Sequence, residues 1–294
     1  MKKGRKNRER NITHAFFVFP SVCLYTLFSI FPIFLGIYYS FTDWDGIKKK
    51  YSFIGFKNYV KLFGDKRFWH SVSFNLRYTI FLVIGVTVLS VGIGLLLNQK
   101  VKGRLFFRAS YFFPAVISAL TGGLIFNQIY GKGIPFIGEI FEIGILQKNI
   151  LTSKVGAQFG ILFVNLWQGV AIPTVLVLSA LQTIPQELIE SASLDGANGR
   201  QLFRYLIFPF LLPTISIIII LNLKSGLMLY DYVMALTTGG PARATESLTM
   251  LIYTQAFDEM KFGYAIAESI VVSTAIIIIS IIQIYSTNRK KVYG

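Results

Sequence analysis

The most polar stretch of this apolar chain is IPQELIESASLDGANGRQLFRYLIFPFLLP, residues 184–213, which lies between two long apolar runs. At 3.6 residues per turn, Glu187 and Glu190 share one face of a short helix, and apolar Ile189 lies on the other face. Two like charges three residues apart cost about 0.2–0.5 kcal/mol in an isolated helix. The two carboxylates therefore predict a cationic partner outside this helix.

The same stretch predicts two short helices joined by a tight turn. Thr183 and Gln186 have the spacing of a capping box at the start of the first helix. Asp195 and Gly196 then end that helix, since glycine adopts a left-handed turn without penalty. A second amphipathic segment follows, and Pro209 fits the first turn of the next apolar run. Such a helix-turn-helix could also rest on the lipid surface without binding another protein.

Other chemistries lack the residues that they need. Cys23 is the single cysteine, which excludes an internal disulfide, and only His14 and His70 could join it in a metal site. The sequence has no G-x-x-x-x-G-K-[ST] with which to hold ATP phosphates, no H-E-x-x-H and no G-x-S-x-G. We therefore expect no catalytic, cofactor-binding or metal site, and the chain is predicted not to be an enzyme.

The elements that position the polar stretch are long apolar helices. Of the 294 residues, 53% are hydrophobic and only 15% are charged, which is too apolar for a soluble domain. A membrane-spanning helix needs about 20 apolar residues. The segments between such runs are too short for an independent soluble core, so the predicted fold is an all-α membrane protein with six transmembrane helices. The six runs are residues 15–40, 74–98, 106–130, 157–182, 209–230 and 264–287.

The basic residues predict the orientation of these spans. The first run follows the segment MKKGRKNRER but is too long for a signal-peptide core and lacks a cleavage site, so we interpret it as an uncleaved span. With the N-terminus in the cytoplasm, the inner segments hold 15 of the 29 lysines and arginines, so the raw count decides little. Their concentration beside span ends, at residues 2–10, 100–108 and 289–291, favours the N-in, C-in orientation.

This orientation divides the chain into three parts. Residues 1–14 form a basic cytoplasmic segment, residues 15–287 a six-helix membrane domain, and residues 288–294 a cytoplasmic tail. The polar stretch then lies in a cytoplasmic loop, residues 183–208, between the fourth and fifth spans. The net charge of +15 is typical of contact with anionic membrane lipid, and no motif indicates nucleic-acid binding.

The segment ESASLDGANGRQLFRYLIFP resembles the EAA loop of ATP-binding-cassette importer permeases. The pattern of that loop is E-A-A, three residues, G, nine residues, I, one residue, L-P. Glu190, Ala192, Gly196 and Pro209 match it. Ser191 replaces the middle alanine, and leucine and phenylalanine replace the isoleucine and leucine, which are mild departures.

Two further stretches resemble the carbohydrate, maltose-type branch of that family. They are FIGFKNYVKLFGDKRFWHSVSFN, residues 53–75, and LTTGGPARATESLTMLIYTQAF, residues 236–257. The resemblance implies a permease subunit that imports a carbohydrate across the bacterial cytoplasmic membrane. It also implies a second homologous permease, two cytoplasmic ATPase subunits that use the ATP, and an extracytoplasmic solute-binding protein.

In that family the EAA loop is a coupling helix that docks in a cleft of the ATPase. The first glutamate of the motif, here Glu190, faces basic residues in that cleft, and the glycine, here Gly196, supplies the turn. The resemblance therefore implies an ATPase-coupling role for one set of residues. The set is Glu187, Glu190, Ala192, Asp195, Gly196 and Ala197.

Polar residues inside the predicted spans are candidates for the substrate path, because they are costly unless they face a cavity or a partner. Amides and aromatic rings suit a sugar, since they pair with its hydroxyls and stack on its C–H faces. Interhelical hydrogen bonds are the alternative for each of them. Lys224 and Glu268 lie at similar depths on successive spans, where they either pair or leave Lys224 snorkelling. The candidates are Asn127, Gln128, Asn165, Trp167, Gln168, Asn222, Lys224, Tyr230 and Glu268.

Prolines and glycines inside the spans are interpreted as kinks and close helix contacts. A proline has no N–H for the helical ladder, and a glycine lets a neighbouring helix approach closely. The prolines are Pro114, Pro173 and Pro213, and the glycines are Gly85, Gly92 and Gly94.

Two other classes of membrane protein fit the hydropathy. A self-sufficient secondary transporter of a small polar solute would be expected to show internal repeats or coupling-ion sites, and no convincing repeat is present. An intramembrane enzyme needs catalytic groups at one depth, whereas His14 and His70 lie at span edges. ATP-independent transport by this chain alone would favour the first class.

Overall fold

The computed structural model of the chain describes residues 17–99 and 103–291. These residues are mostly helical, and no strand occurs among them beyond an isolated antiparallel bridge between Thr42 and Phe53. They divide into two compact units, residues 17–65 with 252–273 and residues 66–99 and 103–251 with 274–291. The predicted basic segment 1–14 and the last residues of the predicted tail, 292–294, lie outside the described residues.

The helices are numbered here in chain order. They are α1 (Phe17–Ser40), α2 (Lys57–Gly64), α3 (Lys66–Asn98), α4 (Arg104–Val116), α5 (Ala119–Ile140), α6 (Lys154–Gly169), α7 (Ala171–Gln182), α8 (Gln186–Leu194), α9 (Gly199–Leu227), α10 (Asp231–Leu236), α11 (Leu248–Tyr253) and α12 (Phe262–Lys291). Shorter stretches are π-helical or 3₁₀-helical. They are Thr26–Ile30 in α1, Ile129–Gly133 in α5, Phe203–Ile207 in α9, Thr254–Asp258 after α11, and the 3₁₀ turn Ile150–Thr152.

Four helices, α1, α3, α9 and α12, are long and apolar enough to cross a membrane. Two bent pairs pass the same test together: Ala109–Val116 with Ala119–Ile140, bent by 104°, and α6 with α7, bent by 42°. The described part of the chain therefore has four to six candidate spans. The predicted runs 106–130 and 157–182 are each broken, and the helix that contains the end of the former continues to Ile140.

Prolines and a serine cap account for the two breaks. Pro173 has no N–H to donate to the carbonyl of Gly169, the residue at which α6 ends. Helix α4 ends two residues after Pro114, and Ser118 caps α5 by accepting a hydrogen bond from a main-chain N–H at 3.3 Å. The kinks predicted at Pro114 and Pro173 are confirmed, whereas Pro213 lies within the continuous helix α9.

The core of the second unit lies between α3, α6, α7 and α9. Small residues bring α3 close to its neighbours: a Cβ on Gly94 would lie 2.5 Å from Val177 Cγ1, and one on Gly85 would lie 2.7 Å from Leu166 Cδ2. The close contacts predicted at these two glycines are confirmed. The contact predicted at Gly92 is wrong, because a Cβ there would meet nothing within 4 Å. The fully buried core side chains include Leu82, Val86, Ile161, Val164, Val177, Leu211 and Ile218.

The first unit forms around the end of α1 and the start of α12. Gly263 leaves no room for a Cβ against the carbonyl oxygen of Thr42. The hydroxyl of Tyr264 donates a hydrogen bond to the carboxylate of Asp65 at 3.0 Å. These contacts connect the segment that follows α1 to the start of α12 within the first unit.

Candidate coupling loop and polar residues of the spans

Helix α8 ends in the turn predicted at Gly196, whose φ angle is +80°. The Gly196 N–H donates to the Ser193 carbonyl at 3.1 Å, and the Ala197 N–H donates to the Ala192 carbonyl at 3.0 Å. These two bonds form a Schellman motif, which requires a left-handed residue at this position. The positive φ angle predicted for Gly196 is confirmed, and two helices meet at this turn.

The capping box lies at the second helix instead of the first. The Thr183 hydroxyl donates to the Ala180 carbonyl at 2.7 Å, and α8 begins after Pro185, whose side chain has no capping atom. The Asn198 Oδ1 accepts from the Gln201 N–H at 3.0 Å, while the Gln201 Oε1 accepts from the Asn198 N–H at 2.9 Å. The capping box predicted at Thr183 is therefore wrong. The N-x-x-Q spacing was the better signal, since asparagine is among the strongest N-cap residues.

From this cap the chain forms one continuous helix, although a short helix and a separate span were predicted. Helix α9 passes through Pro209 without a break. Just before it, Phe203–Ile207 are π-helical, and the Phe208 N–H donates to the carbonyl of Phe203, five residues earlier. The extra residue of this turn accommodates the ring and the missing N–H of the proline. The helix therefore begins at Gly199, ahead of the predicted run 209–230.

The acidic face of α8 is open to solvent. Glu187 and Glu190 are both exposed, and within the described residues neither carboxylate forms an ion pair. Glu190 Oε1 accepts a hydrogen bond from Gln186 Nε2 at 2.8 Å. On the other face, Ile189 packs against the core, while Leu194 at the end of the helix is 90% exposed. Of the other residues with a predicted coupling role, Asp195 and Gly196 are exposed, and Ala192 and Ala197 are half-buried.

The amide of Gln168 bridges the break between α4 and α5. Its Nε2 donates to the carbonyls of Pro114, at 3.0 Å, and Ile117. Its Oε1 accepts from the Tyr232 hydroxyl at 2.8 Å. Burial raises the pKa of Tyr232 to about 12, so this hydroxyl stays protonated and remains a donor. Gln168 therefore joins α6, the end of α4 and α10.

Other amides among the path candidates also bond to protein. Asn165 Nδ2 donates to the Tyr78 hydroxyl at 2.9 Å, which joins α6 to α3. Asn127 Nδ2 donates to the Leu236 carbonyl at 2.9 Å, which joins α5 to α10. Asn222 donates within its own helix. Asn127, Asn165 and Gln168 thus form interhelical hydrogen bonds, and their place in the substrate path stays a prediction.

The remaining path candidates differ in their exposure. Gln128 is exposed, and Trp167 and Tyr230 are half-buried. Lys224 is exposed in the last turn of α9, where its positive charge interacts favourably with the helix dipole. Glu268 is fully buried. The pairing of Lys224 with Glu268 stays a prediction.

The side chains that usually bind metal ions do not cluster in the described part of the chain. Among residues 17–99 and 103–291, no group of three or more His, Cys, Asp or Glu side chains could hold a metal ion. Cys23 is exposed and unbonded to sulfur. The described part of the site therefore offers hydrogen bonds, charge and aromatic surface.

Asn75, a fully buried residue of α3, was not among the predicted residues. Its Nδ2 donates to the carbonyls of Gly226 (2.9 Å) and Leu227 (3.2 Å), and its Oδ1 accepts from the Leu248 N–H at 2.8 Å. Asn75 thus satisfies carbonyls at the end of α9 and an N–H at the start of α11. No local pattern marks this residue, because each partner is at least 151 residues away.

Comparison with known proteins gives the family. The family described as binding-protein-dependent transport system inner membrane component matches residues 90–292. The chain belongs to this family. Over 276 residues this inner membrane component is 42% identical to the multiple sugar-binding transport system permease protein MsmF of Streptococcus mutans, covering 94% of this chain and 95% of that protein.

Solved structures share the fold of this inner membrane component. A bacterial ABC transporter involved in the import of the acidic polysaccharide alginate matches with a TM-score of 0.83 and 19% identity, over 98% of this chain and 99% of that chain. The bacterial alginate ABC transporter in complex with alginate pentasaccharide-bound periplasmic protein matches with a TM-score of 0.82, over 97% and 96%. At 19% identity these matches establish the fold alone. The chain is a multi-pass membrane protein.

Proposed function

We propose that this chain is the permease subunit of an ATP-binding-cassette importer and forms half of the translocation pathway for a carbohydrate. The observation that carries the proposal is the family match over residues 90–292, a range that includes the loop 183–208. The 42% identity to a sugar transport permease supports a carbohydrate, either a sugar or an oligosaccharide, as the substrate class. In this role the chain is a transport subunit and not an enzyme.

The proposed membrane domain comprises residues 15–287 with six spans. Helices α1, α3, α9 and α12 each form one span, and each bent pair forms one more. An even number of spans puts both termini on one side, and the basic residues beside span ends support the cytoplasmic side. Residues 1–14 and 288–294 are then cytoplasmic, as is the loop 183–208 between the fourth and fifth spans.

The proposed partners are the other subunits of such importers. A second homologous permease completes the pathway, and two cytoplasmic ATPase subunits bind and use the ATP, so this chain binds no cofactor. The family description, binding-protein-dependent transport, supports an extracytoplasmic solute-binding protein that delivers the substrate. The assembly is proposed to lie in the bacterial cell membrane.

The loop 183–208 is proposed to transmit the motion of the ATPase subunits. The exposed carboxylates of Glu187 and Glu190 support a contact with basic residues, and exposed Leu194 offers apolar surface to the same partner. The turn at Gly196 leads directly into α9. Because α9 is continuous, a displacement of α8 would move the inner end of the fifth span with it.

The proposed substrate path uses the third, fourth and fifth spans. Gln128, Trp167 and Tyr230 keep side-chain surface that a sugar could contact by hydrogen bonding and stacking. The bonded amides of Asn127, Asn165, Gln168 and Asn222 shape the path in this proposal, and Lys224 and Glu268 remain candidates for it.

The coupling role is tested by Glu190→Lys in the assembled transporter. Reversing this charge should abolish ATP-driven uptake or release the ATPase subunits, because like charges across an interface repel. Gln182→Lys, at an exposed position just before the loop, is the matched control and should leave uptake intact. Asn198 is unsuitable as a control, since it caps α9. Normal coupled uptake by Glu190→Lys would reject the assignment.

The transport class is tested by reconstitution into vesicles. With the second permease, the ATPase subunits and the binding protein present, labelled oligosaccharides should enter only when ATP is hydrolysed. The chain alone should transport none of them. ATP-independent uptake by the lone chain would instead identify a secondary transporter.

A further inference from the structure

Helix α2 (Lys57–Gly64) is fastened to the last residues of α1. Asn58 is 7% exposed, and its Nδ2 donates to the carbonyls of Ser40 at 2.8 Å and Thr42 at 2.9 Å. The hydroxyls of Ser40 and Tyr59 lie 2.7 Å apart. Because Ser40 is the last residue of α1, these bonds fix α2 at the level of that helix end.

The length of α1 gives the depth of α2 in a membrane. Helix α1 has 24 residues, which at 1.5 Å per residue extend over about 36 Å, whereas the hydrocarbon core is about 30 Å thick. The end of a spanning α1 therefore reaches the headgroup region, and α2 lies there with it. The depth of α2 follows from α1 crossing the membrane, and it depends neither on the transported substrate nor on the coupling loop.

One side of α2 is both apolar and exposed. Phe56, Val60 and Phe63 are 69%, 73% and 56% exposed, respectively. Their spacing of four and three residues places them on one side of the helix, while buried Asn58 and Leu62 lie on the opposite side. A contiguous exposed apolar surface marks contact with lipid or with another protein.

Lysines border this apolar side. Lys57 and Lys61 each follow an apolar residue by one position, about 100° around the helix, and both are exposed. Lys49 and Lys50, in the segment before α2, are exposed as well. Apolar residues flanked by lysines are typical of helices that lie in the membrane interface, where ammonium groups meet anionic phosphates.

Aromatic side chains of the same segment give an independent indication of depth. The rings of Tyr39 and Trp44 stack with their centroids 4.3 Å apart, and Tyr51 lies edge-on to Tyr39 at 5.7 Å. Tyrosine and tryptophan concentrate at membrane–water interfaces, because their rings are apolar and their polar atoms reach water. This cluster adjoins the helix end to which α2 is fastened.

We propose that α2 is an interfacial helix that binds anionic phospholipid. Lys57 and Lys61 bind headgroup phosphates, and Phe56, Val60 and Phe63 insert among the outer parts of the acyl chains. The bound lipid holds residues 41–64 at a fixed depth beside α1. The ammonium of Lys61 lies 4.8 Å above the ring of Tyr264, a contact that leaves the side chain exposed. A protein partner would account for the apolar side of α2 but not for exposed Lys49, Lys50 and Lys57 near it.

The depth of α2 is tested with the full-length chain in vesicles. Cys23→Ala removes the single cysteine, and Val60→Cys or Lys49→Cys then carries an environment-sensitive fluorophore. The label at position 60 should be quenched by spin-labelled lipid and protected from iodide, whereas the label at position 49 should be open to iodide. A label at position 60 that iodide reaches would overturn the proposal. So would protection from both quenchers, which would mean that protein covers α2.

The charge preference is tested with the same label at position 60. Energy transfer to headgroup-labelled lipid measures the local enrichment of phosphatidylglycerol over phosphatidylcholine. Lys57→Gln with Lys61→Gln should lower this enrichment by about fivefold for each lysine removed. Lys57→Arg with Lys61→Arg should retain it, because the charge is unchanged. Undiminished enrichment in the glutamine variant would overturn the role of the lysines and would leave the proposed transport function untouched.

Discussion

The guanidinium of Arg67 holds both carboxylate oxygens of Glu246, with Nε 2.9 Å from Oε2 and Nη2 2.6 Å from Oε1, although 179 residues separate the two. Their side chains are only 16% and 6% exposed. Such a two-point pair fixes orientation as well as distance. This ion pair connects the segment between α10 and α11 to the first turn of α3.

Breaking this ion pair should destabilise the protein. Glu246→Gln should lower the free energy of unfolding by about 3 kcal/mol, because it removes the Glu246 charge from a two-point contact with a guanidinium that is only 16% exposed. Thermal unfolding of the purified chain measures the effect. Glu259→Gln is the control, since its pair with Lys261 is more exposed, at 28% and 50%, and should cost less than about 1 kcal/mol. Equal losses in the two variants would contradict the prediction.

Asn75→Ala should destabilise the second unit, because it removes three hydrogen bonds to buried main-chain groups at once. We expect a loss of at least about 2 kcal/mol, together with faster hydrogen exchange of the Leu248 amide. Asn222→Ala is the matched control, since Asn222 is also buried but bonds within its own helix. The role given to Asn75 would be wrong if Leu248 exchanged at the same rate in both variants.

Gly196→Ala should strain the coupling loop. A side chain at φ +80° costs roughly 1–2 kcal/mol, which should speed hydrogen exchange at Ala197 and impair coupled uptake. Gly199→Ala is the control: an added Cβ meets nothing within 4 Å at either glycine, but Gly199 lacks the positive φ angle. Comparable uptake by both variants would show that the left-handed turn is not required.

Gln168→Leu should loosen the break between α4 and α5. The variant loses the donors to Pro114 and Ile117 and the acceptor for Tyr232, so we expect a loss of about 2–3 kcal/mol in thermal unfolding. Tyr232→Phe removes one of these bonds and should cost about 1 kcal/mol. Gln128→Leu, at an exposed position of α5, is the control and should leave stability nearly unchanged. A larger loss in Tyr232→Phe than in Gln168→Leu would refute this account of the break.

The sequence by itself determined the features that depend on neighbouring residues. Runs of about 20 apolar residues mark membrane helices because their length must match the hydrocarbon core. The turn at Gly196 was predictable because a tight turn between two helices needs a residue in the left-handed conformation, and that residue is usually glycine. The acidic face of Glu187 and Glu190 followed from helical periodicity alone.

Tertiary structure decided the features whose partners are distant in the sequence. Asn75, Arg67 and Glu246 lie in the two stretches that resemble the carbohydrate branch, but nothing in those stretches indicates their bonding partners. Their bonds exist because the fold brings remote segments together. Likewise, hydropathy marked Asn127, Asn165 and Gln168 as polar but could not show which carbonyl or hydroxyl each would meet. Buried polar groups must find partners, but which partner is available depends on the packing of the helices. The pattern that fixes a helix spans a few turns, whereas the hydrogen bonds that fix the buried amide of Asn75 span more than half of the chain.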